Sequence, residues 1–254
     1  MVEMNEGPPD PLAVLVADPQ AYEAARNQYL LDGTGPLATA NQALVMGWTQ
    51  NPELFETPEF KALPDEIQAH LRNSNVPLWE LVGAFPLPSA DPTKLYFSLM
   101  AMLMGQSAGT VKLASADPND APICDPKFFS NPFDRVIFID AFRTIMRILD
   151  SPAIKEKTSQ PLLVPKSNSD EDIWEHLKAF GFSCWHMSGT AKMGKANDPM
   201  ACVDSNFRVF GTEKLRVVDM SVAPFVPNCH VVSYAYQIGA CAAEKIIEEY
   251  KLAG

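Results

Sequence analysis

Apolar positions at helical spacing mark out the longer elements of this chain. After Asn131-Pro132, with Asn as cap and Pro at the first helical position, Ile137, Ala141, Ile145 and Ile148 share one face and predict a helix to about Leu149. Asp170 to Phe180 is amphipathic and acidic at its start, which predicts a second helix, and Val231 to Tyr250 closes the chain with a long third one. Shorter helices are expected at Tyr22–Leu31, stopped by Gly33 and Gly35-Pro36, at Leu37–Trp48, and at Pro64–Leu71 with Asp65 and Glu66 in its first turn.

Other stretches lack the helical period. Leu95 to Met104 (LYFSLMAMLM) is an almost unbroken apolar run, as in a strand covered on both faces; a buried helix segment is the alternative. Its methionines and aromatics suit core packing first and the lining of an apolar pocket second. Gly109 to Ala114 alternates and predicts a strand, while Asp117-Pro118-Asn119-Asp120, Pro122 and Pro126 carry turn chemistry. Residues 1–18 are expected as a loose lead-in and Ser159–Ser169 as a linker. Beyond Gly181 short strand-like pieces, Cys202–Val209 and Leu215–Asp219, are joined by Gly211-Thr212-Glu213-Lys214.

Composition narrows the class. With 254 residues, 47% of them hydrophobic, the chain can bury a sizeable core in one or two units. A net charge of −11 argues against nucleic acid or an anionic membrane surface as partner. No run approaches the roughly 18 apolar residues of a membrane span, and Met1–Asp10 lacks the cationic-then-apolar order of a secretory signal. Five irregularly spaced cysteines fit reduced thiols better than a disulfide framework, so a cytoplasmic protein is expected. No Cys-x-x-Cys or His-x-x-x-His pair suggests a metal site.

Four histidines carry the candidate chemistry. His70 and His176 lie on polar helical stretches, as solvated or salt-bridged histidines do. His186 instead precedes a Ser-Gly-Thr turn and Met193-Gly194, where small residues let backbone approach another group closely. His230 follows Pro227-Asn228 at the entrance of the last helix, whose free N–H groups favour an anionic neighbour. A histidine there can accept a proton or donate a hydrogen bond beside developing negative charge. Taken singly, each is also compatible with a structural role.

Several motifs in order make a specific resemblance. His186-Met187-Ser188-Gly189-Thr190-Ala191-Lys192-Met193-Gly194 resembles the His-x-x-Gly-Thr-Cys-x-Met-Gly signature of glucose-methanol-choline (GMC) oxidoreductases. Val203-Asp204, Arg208-Val209-Phe210-Gly211, Leu215 through Ser221, and Pro224 follow at the family's spacing. His230 then matches the second active-site histidine of the glucose oxidase and aryl-alcohol oxidase branch. Upstream, Thr34-Gly35-Pro36-Leu37 resembles the family's Gly-Pro-Leu turn, and Gln106–Leu113 with Asp117-Pro118 and Asp125-Pro126 resembles its substrate-domain Pro-x-Ser-Arg-Gly-x-Val block, so the likeness spans about residues 19–250. Ala191 stands where the family has Cys, and Ala108 where it has Arg.

The resemblance implies an α+β fold. A mostly antiparallel sheet, including Tyr96–Met104 and Gly109–Ala114, would carry helices on one face as a substrate-binding domain over 19–180, with a remnant of the FAD domain over 181–250. It also implies that His186 takes the alcohol proton as hydride leaves for the flavin, and that His230 orients the substrate oxygen. Asp219, Asn228 and Val231 would then lie near the cofactor. Asp219 reads equally as a turn residue closing a strand.

The Gly-x-Gly-x-x-Gly turn that cradles the FAD diphosphate is not in this sequence. FAD is therefore expected only with a complementing N-terminal half. Three functions follow for a small-molecule substrate: part of an FAD alcohol oxidoreductase; a flavin-free enzyme of a cyclisation, isomerisation, elimination or pericyclic step, as hydroxynitrile lyases and a fungal cyclase share the fold without net redox turnover; or a non-catalytic binding or assembly module. The remnant should expose an apolar face, which predicts a homodimer, a complementing chain or rearranged packing.

Overall fold

The computed structural model describes residues 1–5, 15, 17–38, 43–84, 96–227 and 230–252, which divide into two compact units. Unit 1 comprises residues 1–106 and 131–181, and unit 2 comprises 107–130 and 182–254. Residues 107–130, expected with the substrate domain, thus group with the C-terminal part.

Unit 1 is built on a five-stranded antiparallel sheet. Its strands are β1 (Val2–Met4), β2 (Ala43–Thr49), β3 (Trp79–Ala84), β4 (Tyr96–Leu103) and β7 (Thr158–Pro161), in the order β2-β3-β4-β1-β7. Helix α1 (Pro19–Asp32) precedes β2; α2 (Pro58–Lys61) and α3 (Asp65–Leu71) follow it. After β4 come α4 (Pro132–Leu149), α5 (Pro152–Lys155) and, beyond β7, α6 (Asp170–Phe180).

The register decides what each sheet face does. Trp79 opposes Leu103 and Leu81 opposes Ala101, and all four pack with Phe133, Ile137 and Ala141 of α4. Residues one position along point to the other face. There Met46, Val82 and Met100 align across three strands, as do Trp48, Glu80 and Met102. The methionine-rich run is thus a strand divided between core and opposite face. Around α4, Phe60, Leu78, Phe133, Ile137 and Ala141 are fully buried, with the Phe60 and Phe133 rings edge-to-face at 5.3 Å. Asn131 caps α4 by accepting from Phe133 N–H, and α6 docks with buried Ile173 and an Arg143–Asp170 ion pair.

Several expectations need correction. Leu37–Trp48, expected as a helix, yields a single 3-10 turn at Pro36–Ala38 and then β2; residues 39–42 lie outside the described ones. The partner decides this, because β3 supplies a backbone ladder along β2. The lead-in contains β1, which pairs with both β4 and β7, and the 159–169 linker opens inside β7. Gly109–Ala114 holds a strand, β5 (Thr110–Lys112), but not in the main sheet. It pairs with β6 (Ile123–Asp125), from the stretch read as turns, in a separate hairpin of unit 2. Gly109 is required there, since a Cβ would lie 2.2 Å from the Asp125 carbonyl oxygen.

Unit 2 has a smaller core. Val203, Phe207, Val222 and Ala223 pack with Ile238 and Ala242 of α7 (Val231–Tyr250). The strand-like pieces are reduced to isolated bridges, Val203 to Val209 and Arg208 to Arg216. At the C-terminal end of α7, Glu249 accepts from both Arg208 and Arg216, and Lys245 donates to Asn206 Oδ1 at 3.3 Å. The expected apolar exposure is present, since Val232, Tyr236, Ile247 and Tyr250 of α7 are exposed. Among the described residues no helix is long and apolar enough to cross a membrane.

Candidate active site

Backbone hydrogen bonds carry the two sequence-distant histidines toward each other. The signature loop is laced to the turn at Met220–Val222: Ala191 N–H donates to Ser221 O at 2.9 Å, and Met193 N–H to Val222 O at 2.9 Å. On its other side Gly194 N–H donates to Val203 O, and Cys202 N–H to Lys192 O. Gly189 turns the loop at φ +79°, with Ala223 O only 3.3 Å from where a Cβ would stand. A side chain there would be strained and crowded.

Asp219 holds the adjacent turn. Its carboxylate accepts from Ser221 N–H at 2.7 Å and caps the short 3-10 helix from which the chain runs on toward His230. His230 is the N-cap of α7 and makes no side-chain capping bond; Val231 is the first helical residue. Asn228 lies outside the described residues. Together these elements place the His186 and His230 rings edge-to-face, centroids 5.4 Å apart.

The start of α7 is a suitable place for negative charge. Its first turn contains no acidic residue, so the partial positive charge of its amides is not offset within the turn. An anionic oxygen of a flavin ring fits that chemistry, with Val231 in the first helical position. The diphosphate has no matching cradle, because the chain lacks the glycine-rich turn. The residues present therefore fit the ring end of FAD and not its phosphate end.

The remaining histidines belong to unit 1. His70 lies in the last turn of α3, and His176 packs between the rings of Phe142 and Phe180, at 5.4 and 4.9 Å. Burial, followed by the positive chain N-terminus, pushes the His176 imidazole below its ordinary value. In unit 2, Lys192 donates to Asp198 at 2.8 Å and holds that carboxyl below the usual range, with help from Met200 N–H. This pair closes the loop after the signature. An open depression of about 460 Å³ beside it is lined by Met193, Gly194, Lys195, Ala196, Asp204, Ser205 and Phe210, and neither histidine belongs to that lining.

Sequence reasoning passed over Trp185. Its backbone is left-handed, at φ +59°, and its side chain is 73% exposed. Such a backbone costs an L-residue about 1–2 kcal/mol. Ser183 fixes the turn, its hydroxyl accepting from Trp185 N–H at 3.1 Å. The signal available in the sequence was a serine two residues before a bulky aromatic, itself beside the candidate histidine.

Comparison with known proteins identifies the family. The C-terminal domain of GMC oxidoreductases matches residues 105–239. A glucose methanol choline oxidoreductase of Aspergillus terreus is 32% identical over 239 residues, 92% of this chain and 38% of its own length. Versicolorin B synthase of Aspergillus parasiticus is 36% identical over 159 residues, 61% of this chain and 24% of its own. The fold matches a formate oxidase of Aspergillus oryzae with a TM-score of 0.74 at 22% identity, over 91% of this chain and 42% of that one. The chain thus spans about two fifths or less of these proteins. It belongs to the GMC oxidoreductase family, as part of that family's C-terminal region.

Proposed function

We propose that this chain is the substrate-side part of an FAD-dependent oxidoreductase acting on CH–OH groups, working with a nucleotide-binding half that carries the glycine-rich turn. The observation that carries this reading is the edge-to-face His186–His230 pair at the start of α7. An imidazole nitrogen of His186 accepts the hydroxyl proton of the substrate, and His230 donates a hydrogen bond that orients the substrate oxygen. The amides of the first turn of α7 stabilise negative charge as it develops beside them, electrostatic preorganisation that needs no movement. FAD, when bound, supplies the hydride acceptor; Asp219, Asn228 and Val231 are the residues of this chain assigned to its neighbourhood. The exposed apolar side of α7 suits a complementing chain better than solvent, with a homodimer as the other occupant.

The test is a flavin spectrum and turnover assay on the complex with a glycine-rich partner half. His186→Ala should lower turnover by about 10²–10⁴-fold with melting unchanged, and His230→Ala should act mainly on substrate affinity. Wild-type turnover in both variants would overturn the reading.

A second reading is supported by the relative named as a synthase and not an oxidoreductase. Here the same histidines move a proton in a flavin-free, non-redox step. A colourless, folded 254-residue chain that turns over a substrate alone would select it.

A further inference from the structure

We propose that unit 1 pairs with a second copy of itself through the outer edge of β2, joining two five-stranded sheets into one across a two-fold axis. This goes beyond the proposed function and does not depend on it. The two edges of the sheet are built differently. β7 is four residues long and ends on Pro161, a short, proline-marked edge of the kind that resists strand addition. β2 runs for seven residues, Ala43–Thr49, with neither proline nor charge. Among the described residues β3 is its only strand partner, so its outer row of backbone N–H and C=O groups faces no strand of this chain. Such a row is a template for another strand.

Three observations identify that strand as β2 of a second copy. The first is charge. Self-association has to overcome a net charge of −11, and no charged residue occurs between Asp32 and Glu53. The second is register. The ladder to β3 is irregular between Ala43 and Val45, which leaves Val45–Thr49 as the regular stretch, with Gly47 at its centre. Two such stretches running antiparallel about Gly47 set Met46 opposite Trp48 twice, thioether against indole, on the sheet face away from α4. Val45, Met46 and Trp48 are all exposed in the single chain, and a Cβ on Gly47 would meet nothing within 4 Å, so the centre of the stretch is open. Two-fold symmetry turns the order Met-Gly-Trp into a matched pair; an unrelated strand gains only the backbone bonds. The third is closure, because the blunt β7 edge stops the sheet after two copies.

The experiment measures the mass of the 254-residue chain by sedimentation velocity from low to high micromolar concentration. A reversible dimer is expected. Met46→Lys/Trp48→Lys sets like charges directly opposite each other and should weaken it by about tenfold or more. Met46→Glu/Trp48→Glu should do the same, and mixing the two variants should restore a dimer, since lysine then faces glutamate. Both positions are exposed, so melting should stay near wild type. Should a charged variant fail to fold, Gly47→Cys decides instead. Facing Cα atoms on the two-fold come within disulfide range, so mild oxidation should cross-link this chain, with the bond mapped to the new thiol by peptide mass; Val45→Cys, off the axis, should not cross-link. A chain that stays monomeric throughout overturns the proposal. So does a dimer that both charged variants retain and Gly47→Cys does not cross-link, for which the exposed side of α7 would be the seam. Open-ended aggregates in place of a dimer overturn it too, as does loss of a complementing protein half, rather than of self-association, in the charged variants.

Discussion

Helices α4 and α7 are the longest of their respective units, and their surroundings differ sharply. Over 18 residues α4 buries eight, among them Phe133, Ile137 and Ala141, against a sheet from its own unit. Over 20 residues α7 buries two, Ile238 and Ala242, and turns Val232, Tyr236, Ile247 and Tyr250 outward. Both sequences are apolar enough to fill a core. The contrast teaches that α4 finds its apolar partners within its own unit, whereas α7 carries apolar surface beyond what the core of its unit uses.

The largest effect that would break this comparison is in α4. Phe133→Ala, at a fully buried site with an aromatic partner, should cost about 3–5 kcal/mol in denaturant melts. A loss under about 1 kcal/mol would mean that the core of unit 1 is not what holds it. A smaller effect concerns pH. The folded-state imidazole of His176 lies below its ordinary value, so the unfolded chain takes up the proton first as pH falls. Stability should therefore be full above the ordinary histidine range and decline as pH drops through it toward the lower folded value. Melts at pH 7.5 and 5 should show that decline, and His176→Gln should flatten it. The smallest effect sharpens the contrast from the other side: Tyr236→Ser should change the stability of this chain by no more than about 0.5 kcal/mol. If it instead destabilises strongly, the outward face of α7 is already engaged.

Local pattern was enough for α4, α6 and α7, whose helical period and caps are contained within each segment. It failed where the partner is distant. Val2 pairs with Phe97 and Pro161, contacts that no window around Val2 contains, and β2 is defined by β3 more than by its own residues. The separate β5–β6 hairpin was half visible, because Ile123–Asp125 is a short strand hidden among turn residues. His186 and His230 were legible through the family signature, not through their spacing of 44 residues, which is closed by the backbone bonds to Ser221 and Val222. Trp185 needed coordinates, since its backbone angle and exposure are not properties of residue type.

Glu249 receives both Arg208 and Arg216 near one terminus of α7, while His230 begins the other. The helix is therefore a shaft pinned at its tail by charge. Screening by salt reaches that pin, not the apolar packing of Ile238 and Ala242. Added salt should accordingly loosen the anchor at the tail of α7 while leaving the apolar packing nearer His230 in place.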